Sequence, residues 1–153
     1  MTHRIYFAQH GLAVDKKDDP ERPLSQAGVQ QSKRIANHLR GKETSITSVF
    51  HSGKLRAAQT AEIFANAMNI SSTSAIDGLS PNDDVELLAQ NLNVNNALYI
   101  GHLPHLEKLV SHLITGNINQ NIIKFQNSAI ACLEKGDDHY YLKWHLTAEL
   151  LNG

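Results

Sequence analysis

Hydrophobic and polar positions follow two periods along this chain, and the switch between them marks its elements. Arg4 to Ala8 is a short apolar and aromatic run ending in Gln9-His10-Gly11, the pattern of a buried first strand that delivers a polar tip and then turns. Residues 12 to 24 (LAVDKKDDPERPL) mix charges with two prolines and hold no period, which predicts a long surface loop of a length that is often functional. Ser25 is expected to cap a helix with Val29, Ala36 and Leu39 on one face and Gly41 as its stop. Ser48 to Ser52 reads as a second strand, and Arg56 to Met68 as a helix striped by Ala57, Ala61, Phe64 and Met68.

Ser72 to Ile76 is expected to form a third strand. Asn82 should cap a helix through Leu92, with Asp83, Asp84 and Glu86 where acidic side chains suit the helix dipole. Ala97 to Ile100 is a fourth strand, ending in Gly101-His102. Pro104 fits the first turn of the next helix, which carries Leu106, Leu109, Val110 and Leu113 and ends at Thr115-Gly116. Ala129 to Glu134 and Tyr140 to Trp144 are strands around Lys135-Gly136-Asp137-Asp138, which is good hairpin-turn chemistry.

Strand and helix alternate and a hairpin follows. That order predicts an α/β fold: a three-layer sandwich, mostly parallel in its sheet, with helices on both faces and a C-terminal antiparallel hairpin. No repeat or linker interrupts it, and 153 residues read as one domain spanning 1–153.

Composition narrows the function classes. With 14 Lys and Arg against 15 Asp and Glu, a net charge of -1 and a pI near 6.7, the chain has no basic run with which to hold nucleic acid. A hydrophobic content of 41% and a mean hydropathy of -0.33 exclude disorder as the main state. Cys132 is the single cysteine and has no disulfide partner within the chain. The apolar stretch Ile5-Tyr6-Phe7-Ala8 is too short for a signal peptide, and no segment approaches the roughly 20 residues that span a bilayer. A cytoplasmic protein without membrane contact is expected. The oddity is nine histidines.

Three predicted strand ends carry unusual polar groups: His10, Ser52 with Arg56, and His102. In open α/β sheets ligands sit beyond the carboxyl ends of the strands. Gly11 would let the backbone approach a ligand, and the helix starts after Ser52 and His102 would aim backbone N–H groups at the same crevice. Two imidazoles, an arginine and helix N-termini point to an anionic ligand, phosphate above all. A neutral imidazole can attack phosphorus, and water can hydrolyse the resulting phosphohistidine. Such a nucleophile needs cationic neighbours to stabilise the transferring group, and the arginine fork suits phosphate.

Gln9-His10-Gly11 after a first strand resembles the Arg-His-Gly signature of the histidine phosphatase superfamily. Four further segments are similar to its small SixA-type phosphohistidine phosphatases: Arg22-Pro23-Leu24-Ser25 with Gly28, the run HSGKLRAAQTAEI from His51 to Ile63, Gly101-His102-Leu103-Pro104, and Asn127-Ser128-Ala129-Ile130-Ala131. The resemblance implies that His10 is the phosphorylated nucleophile, Arg56 a phosphate-binding catalytic arginine and His102 the second catalytic histidine. Gln9, Gly11, Arg22 and Ser52 would be further phosphate contacts. The implied substrate is a phosphohistidine on a signalling or phosphotransfer protein, with phosphate ion as product and neither cofactor nor metal. The segment from Ile76 to Val85 is short, which leaves a shallow site open to a protein substrate.

Gln9 stands where the signature has arginine. Its amide can donate a hydrogen bond but brings no charge, and a hydrogen bond to a charged group is worth about 1.5 to 3 kcal/mol, so the rate is expected to fall roughly tenfold to a hundredfold. Phosphomonoester hydrolysis also needs a general acid, and nothing in the sequence aims Asp83 or Asp84 at the site. Two alternatives stay open: a phosphatase for small phosphomonoesters, and a weakly active or non-catalytic phosphate or phosphoprotein binder. His105, three residues after His102, raises a metal site as a minority alternative. His51 should face away from Ser52 and be structural. His3, His38, His112, His139 and His145 have no convergent partners, and Cys132 reads as a small buried hydrophobe.

Overall fold

In the computed structural model, which describes residues 2–40, 42 and 44–151, the apolar run near the N-terminus forms strand β1 (Arg4–Gln9), with its four central residues buried. Burial on both faces explains why this run is continuous rather than alternating. Helix α1 (Gln26–Arg40) follows the loop, then β2 (Ser48–His51), α2 (Leu55–Ala67), β3 (Ser74–Ala75), α3 (Val85–Ala89), β4 (Ala97–Gly101), α4 (His105–Thr115), β5 (Ile130–Lys135), β6 (Tyr140–Leu146) and a 3-10 helix, Ala148–Leu151. The six strands form one sheet in the order β3-β2-β4-β1-β5-β6. β1 to β4 are parallel, and β5 pairs antiparallel with both β1 and β6. The expected α/β architecture is therefore present.

Each face of the sheet has its own core. Tyr6, Ala8, Leu98, Ile100, Ile130 and Cys132 pack against α1 and α2. Ile5, Phe7, Tyr99, Ala131 and Leu133 pack against α3 and α4. On that second face Phe7, Tyr99 and Phe50 stack across three neighbouring strands, with ring centroids 5.6 and 5.4 Å apart.

Three expectations change. The third strand shrinks to Ser74–Ala75, because both residues lie exposed at the sheet edge with one neighbouring strand to pair with. The helix expected from Asn82 to Leu92 is only Val85–Ala89, capped by Asp84, whose carboxylate accepts from Glu86 N and Leu87 N. Asp83 prevents an earlier start: its side chain accepts from Ser80 N at 2.9 Å and closes a turn over the Ser80–Asp83 stretch. In α1 the buried face is Gly28, Ser32, Ile35, Ala36 and Leu39, with Val29 only half-buried. The Gly41 stop lies outside the described residues.

Helix α1 sits tight against the start of the long loop. A Cβ on Gly28 would lie 2.1 Å from the Leu12 carbonyl oxygen, so this helix position admits no side chain. Ser25 does cap the helix: its Oγ accepts from Gly28 N at 3.0 Å and donates to the Leu12 carbonyl.

Candidate active site

The carboxyl ends of β1, β2 and β4 open on one crevice. β1 and β4 are neighbours in register, with Gln9 opposite Gly101, so the residues that follow them, His10 and His102, emerge side by side. Their rings stand 4.9 Å apart between centroids, tilted by 47°. Both are buried, at 9% and 1% exposure.

His10 has a fixed proton. Its Nδ1 lies 2.7 Å from the Gly11 carbonyl oxygen, which can only accept, so Nδ1 carries the hydrogen and Nε2 keeps its lone pair in the neutral ring. Burial pushes the His10 pKa down to about 4; the Gly11 bond opposes that, and the charges of Arg56 and Arg22 reinforce it. His102 is pushed down to about 3, first by burial and then by His10, Arg56, Lys54 and His105. Its Nε2 lies 2.6 Å from Ser52 Oγ, while its Nδ1 is buried with no partner. Both imidazoles are therefore neutral at physiological pH.

Cations flank this pair. Arg56 stands in the first turn of α2, with its Nε buried and without a protein acceptor, and burial followed by the charge of Arg22 lowers its pKa. Arg22 sits in the left-handed region at φ 50°. This strained backbone is held by Arg22 N donating to Asp19 O, by Nε donating to the Val14 carbonyl at 3.1 Å, and by the bridge between Ala13 and Leu24. Among the described residues neither arginine has a carboxylate within ion-pair distance. Helices α2 and α4 also lack side-chain caps, although Ala57 N and Leu106 N bond the Lys54 and His102 carbonyls.

A web of hydrogen bonds holds the His10 side in place. Gly11 N donates to Thr60 Oγ1, and that hydroxyl donates to the Arg56 carbonyl, which couples the loop after β1 to the turn that presents Arg56. Leu24 N donates to Gln59, Asn127 Nδ2 to the His10 carbonyl, and Ser128 N to the Gln9 carbonyl. The Ser32 and Ser128 hydroxyls meet at 2.7 Å.

This arrangement matches known proteins. Residues 5–80 fit the family model of the histidine phosphatase superfamily (branch 1). Over 136 residues, covering 84% of this chain and 83% of the relative, it is 35% identical to "Phosphohistidine phosphatase SixA" of Escherichia coli (strain K12). The chain belongs to the histidine phosphatase superfamily. Within the superfamily it is of the SixA type: it superposes with a TM-score of 0.84 on the protein histidine phosphatase SixA complexed with tungstate, at 31% identity over 97% of this chain and 99% of that one. A phosphoserine phosphatase from Entamoeba histolytica in complex with 3-phosphoglyceric acid shares the fold at 15% identity, with a TM-score of 0.74 and coverage of 97% and 99%.

Seen within the superfamily, the residues expected at the site fall into groups. His10, His102, Arg56 and Arg22 come together. Gly11 does something other than admit a ligand: a Cβ there would meet Ser32 Oγ at 2.7 Å and its N–H is occupied by Thr60, so it packs against α1 and orients His10. Ser52 turns its hydroxyl to His102. Gln9 ends β1 half-buried, with its Oε1 buried and unpartnered. His51 is structural, accepting from Gly53 N at 3.0 Å.

His105 is 1% exposed, with its ring against the Gly78 backbone and near Asp83, both of which favour its charged form against burial. Among the described residues no three His, Cys, Asp or Glu side chains converge as a metal site. Asp83 and Asp84 both bond backbone N–H groups of their own turn. Together with Ser52 they line a cavity of about 810 Å3 that opens beside His102. Thr60, Asn127 and Ser128, which bond the backbone around His10, are the residues missed by the sequence as single positions; the spacing Arg56 to Thr60, one helical turn, was the available signal for the first.

Proposed function

We propose that this protein is a phosphohistidine phosphatase that works through a phosphohistidine at His10. The observation that carries the proposal is the His10 Nδ1 bond to the Gly11 carbonyl, with a pKa near 4, which leaves Nε2 unprotonated within the field of Arg56 and Arg22. In the first step Nε2 attacks phosphorus and the phosphorus–nitrogen bond of the substrate breaks. The departing ring leaves as neutral imidazole when its far nitrogen is protonated, so no protein acid has to reach the scissile atom. Arg56, with its buried Nε free to donate, and Arg22 hold the equatorial oxygens. Water then attacks the His10 phosphoryl group, His10 departs, and phosphate is released.

Several features support a protein phosphohistidine over a phosphomonoester. Asp83 and Asp84, candidates for protonating an alkoxide, are held on backbone N–H groups. The E. coli relative is named a phosphohistidine phosphatase, and the tungstate in the related structure is a tetrahedral oxyanion of the phosphate class. Only 9 residues, 76 to 84, separate β3 from α3, so the rim stays low on that side. A cytoplasmic phosphotransfer protein is the proposed partner, phosphate ion the product, and no cofactor takes part.

The test is labelling. Phosphate from a phosphorylated histidine protein should become trapped on the wild-type chain and not on His10→Ala. Absence of labelling with every donor would leave a phosphate binder in place of an enzyme. Faster turnover of an aryl phosphate than of the phosphohistidine protein would make it a phosphomonoesterase.

A further inference from the structure

The cavity beside His102 carries chemistry that the proposed reaction leaves unused. Its floor is aromatic, where Phe50 on β2 stacks on Tyr99 of β4. Leu87, 60% exposed, adds apolar surface to its wall. Asp77, Asp83 and Asp84 line the same space with exposed side chains, and among the described residues none of the three has a cation within ion-pair distance. Ser52 belongs both to this cavity and to the hydrogen bond with His102. Whatever fills the cavity therefore lies one hydrogen bond away from His102.

We infer that the cavity receives a lysine or arginine side chain that neighbours the phosphohistidine on the partner protein, so that the site selects a basic context around the group it removes. This rests on the phosphohistidine reading above and adds the identity of the neighbouring side chain. A long basic side chain fits on two counts. Its aliphatic stem gains from covering apolar surface, and its charged head is favoured both over ring faces and beside carboxylates.

The crevice as a whole has the matching polarity. The charges of Arg22 and Arg56 act on His10 and that of Lys54 on His102, while three carboxylates line the cavity beyond Ser52. That pattern fits a substrate with a negative and a positive group side by side. It also opposes small metabolites that carry a second anionic group, since these would set like charges together.

Fluorescence anisotropy on the His10→Ala protein tests the inference. Two short peptides with a central phosphohistidine are compared, one flanked by lysines and one by glutamates. The lysine peptide should bind about tenfold more tightly, as two or three exposed ion pairs would give, and added salt should narrow the gap. The double substitution Asp77→Asn with Asp84→Asn should narrow it too, since Asn keeps the cap of α3 while removing charge. Equal affinities, or a gap unchanged by the double substitution, would overturn the inference. Failure of the phosphohistidine reading looks different: wild-type protein would hydrolyse neither peptide while the lysine preference in binding persisted.

Discussion

On the bank of the crevice built by β1, α1 and α2, polar groups around His10 are tied together: Gly11 to Thr60 to Arg56, Leu24 to Gln59, Ser32 to Ser128, Asn127 to His10. On the opposite bank, built by β4, α4 and the segment before α3, neither His102 Nδ1 nor the buried His105 ring has a side-chain partner among the described residues. The difference teaches where precision is needed. A nucleophile and its phosphate-holding arginine must be fixed before reaction, because reorganisation during the step would raise the barrier. A surface that receives the body of the substrate gains from a looser frame. The wired bank does have its own gaps, Gln9 Oε1 and Arg56 Nε, and both belong to the residues proposed to meet phosphate.

The largest expected effect sharpens the comparison by adding charge to the wired bank. Gln9→Arg should raise kcat/KM on a phosphohistidine protein roughly tenfold to a hundredfold, the size of a hydrogen bond to a charged group. Steady-state kinetics decide it, and an unchanged rate would show that Gln9 is not what limits turnover. Next in size, Thr60→Val breaks the wiring. The buried Gly11 N–H loses its acceptor, so unfolding by denaturant should show a loss of about 1 to 3 kcal/mol, with a fall in turnover as His10 loosens.

Acid comes last. His10 and His102 have folded-state pKa values near 4 and 3, below the ordinary 6.5. The unfolded chain therefore takes up protons first, and stability present above pH 6.5 is lost as pH falls toward those values. Between pH 7 and 6 the loss should be about 0.7 kcal/mol per histidine by urea titration. His105, also lowered by burial, adds to this. His105→Leu should reduce the acid loss while costing no more than about 1.5 kcal/mol at pH 7, the net worth of the contact with the Gly78 backbone that it loses. A large loss at pH 7 would mean that the looser bank is wired after all.

Much of this was legible in the sequence where one period dominated. The strand tips bearing His10 and His102 followed from apolar runs that stop at polar residues, and the pairing of β1 with β4 puts the two histidines together. What could not be read lay in side chains acting on distant backbone. Thr60 reaches Gly11 across 49 positions and Asn127 reaches His10 across 117, separations that no local pattern encodes. The start of α3 was misplaced for a similar reason, since Asn82 and Asp84 are both good caps and only the bond from Ser80 N to Asp83 decides between them. Gly11 was recognised as necessary, but for ligand approach rather than for its contact with Ser32.

The carbonyl of Gly11 also has a regiochemical consequence. Because it occupies Nδ1 of His10, a phosphorylated form of this protein would be the 3-phosphohistidine isomer alone, with the 1-isomer closed off. The feature that sets this regiochemistry is a main-chain oxygen present at every residue type, so replacing a side chain around the ring can alter how fast the isomer forms without changing which one it is.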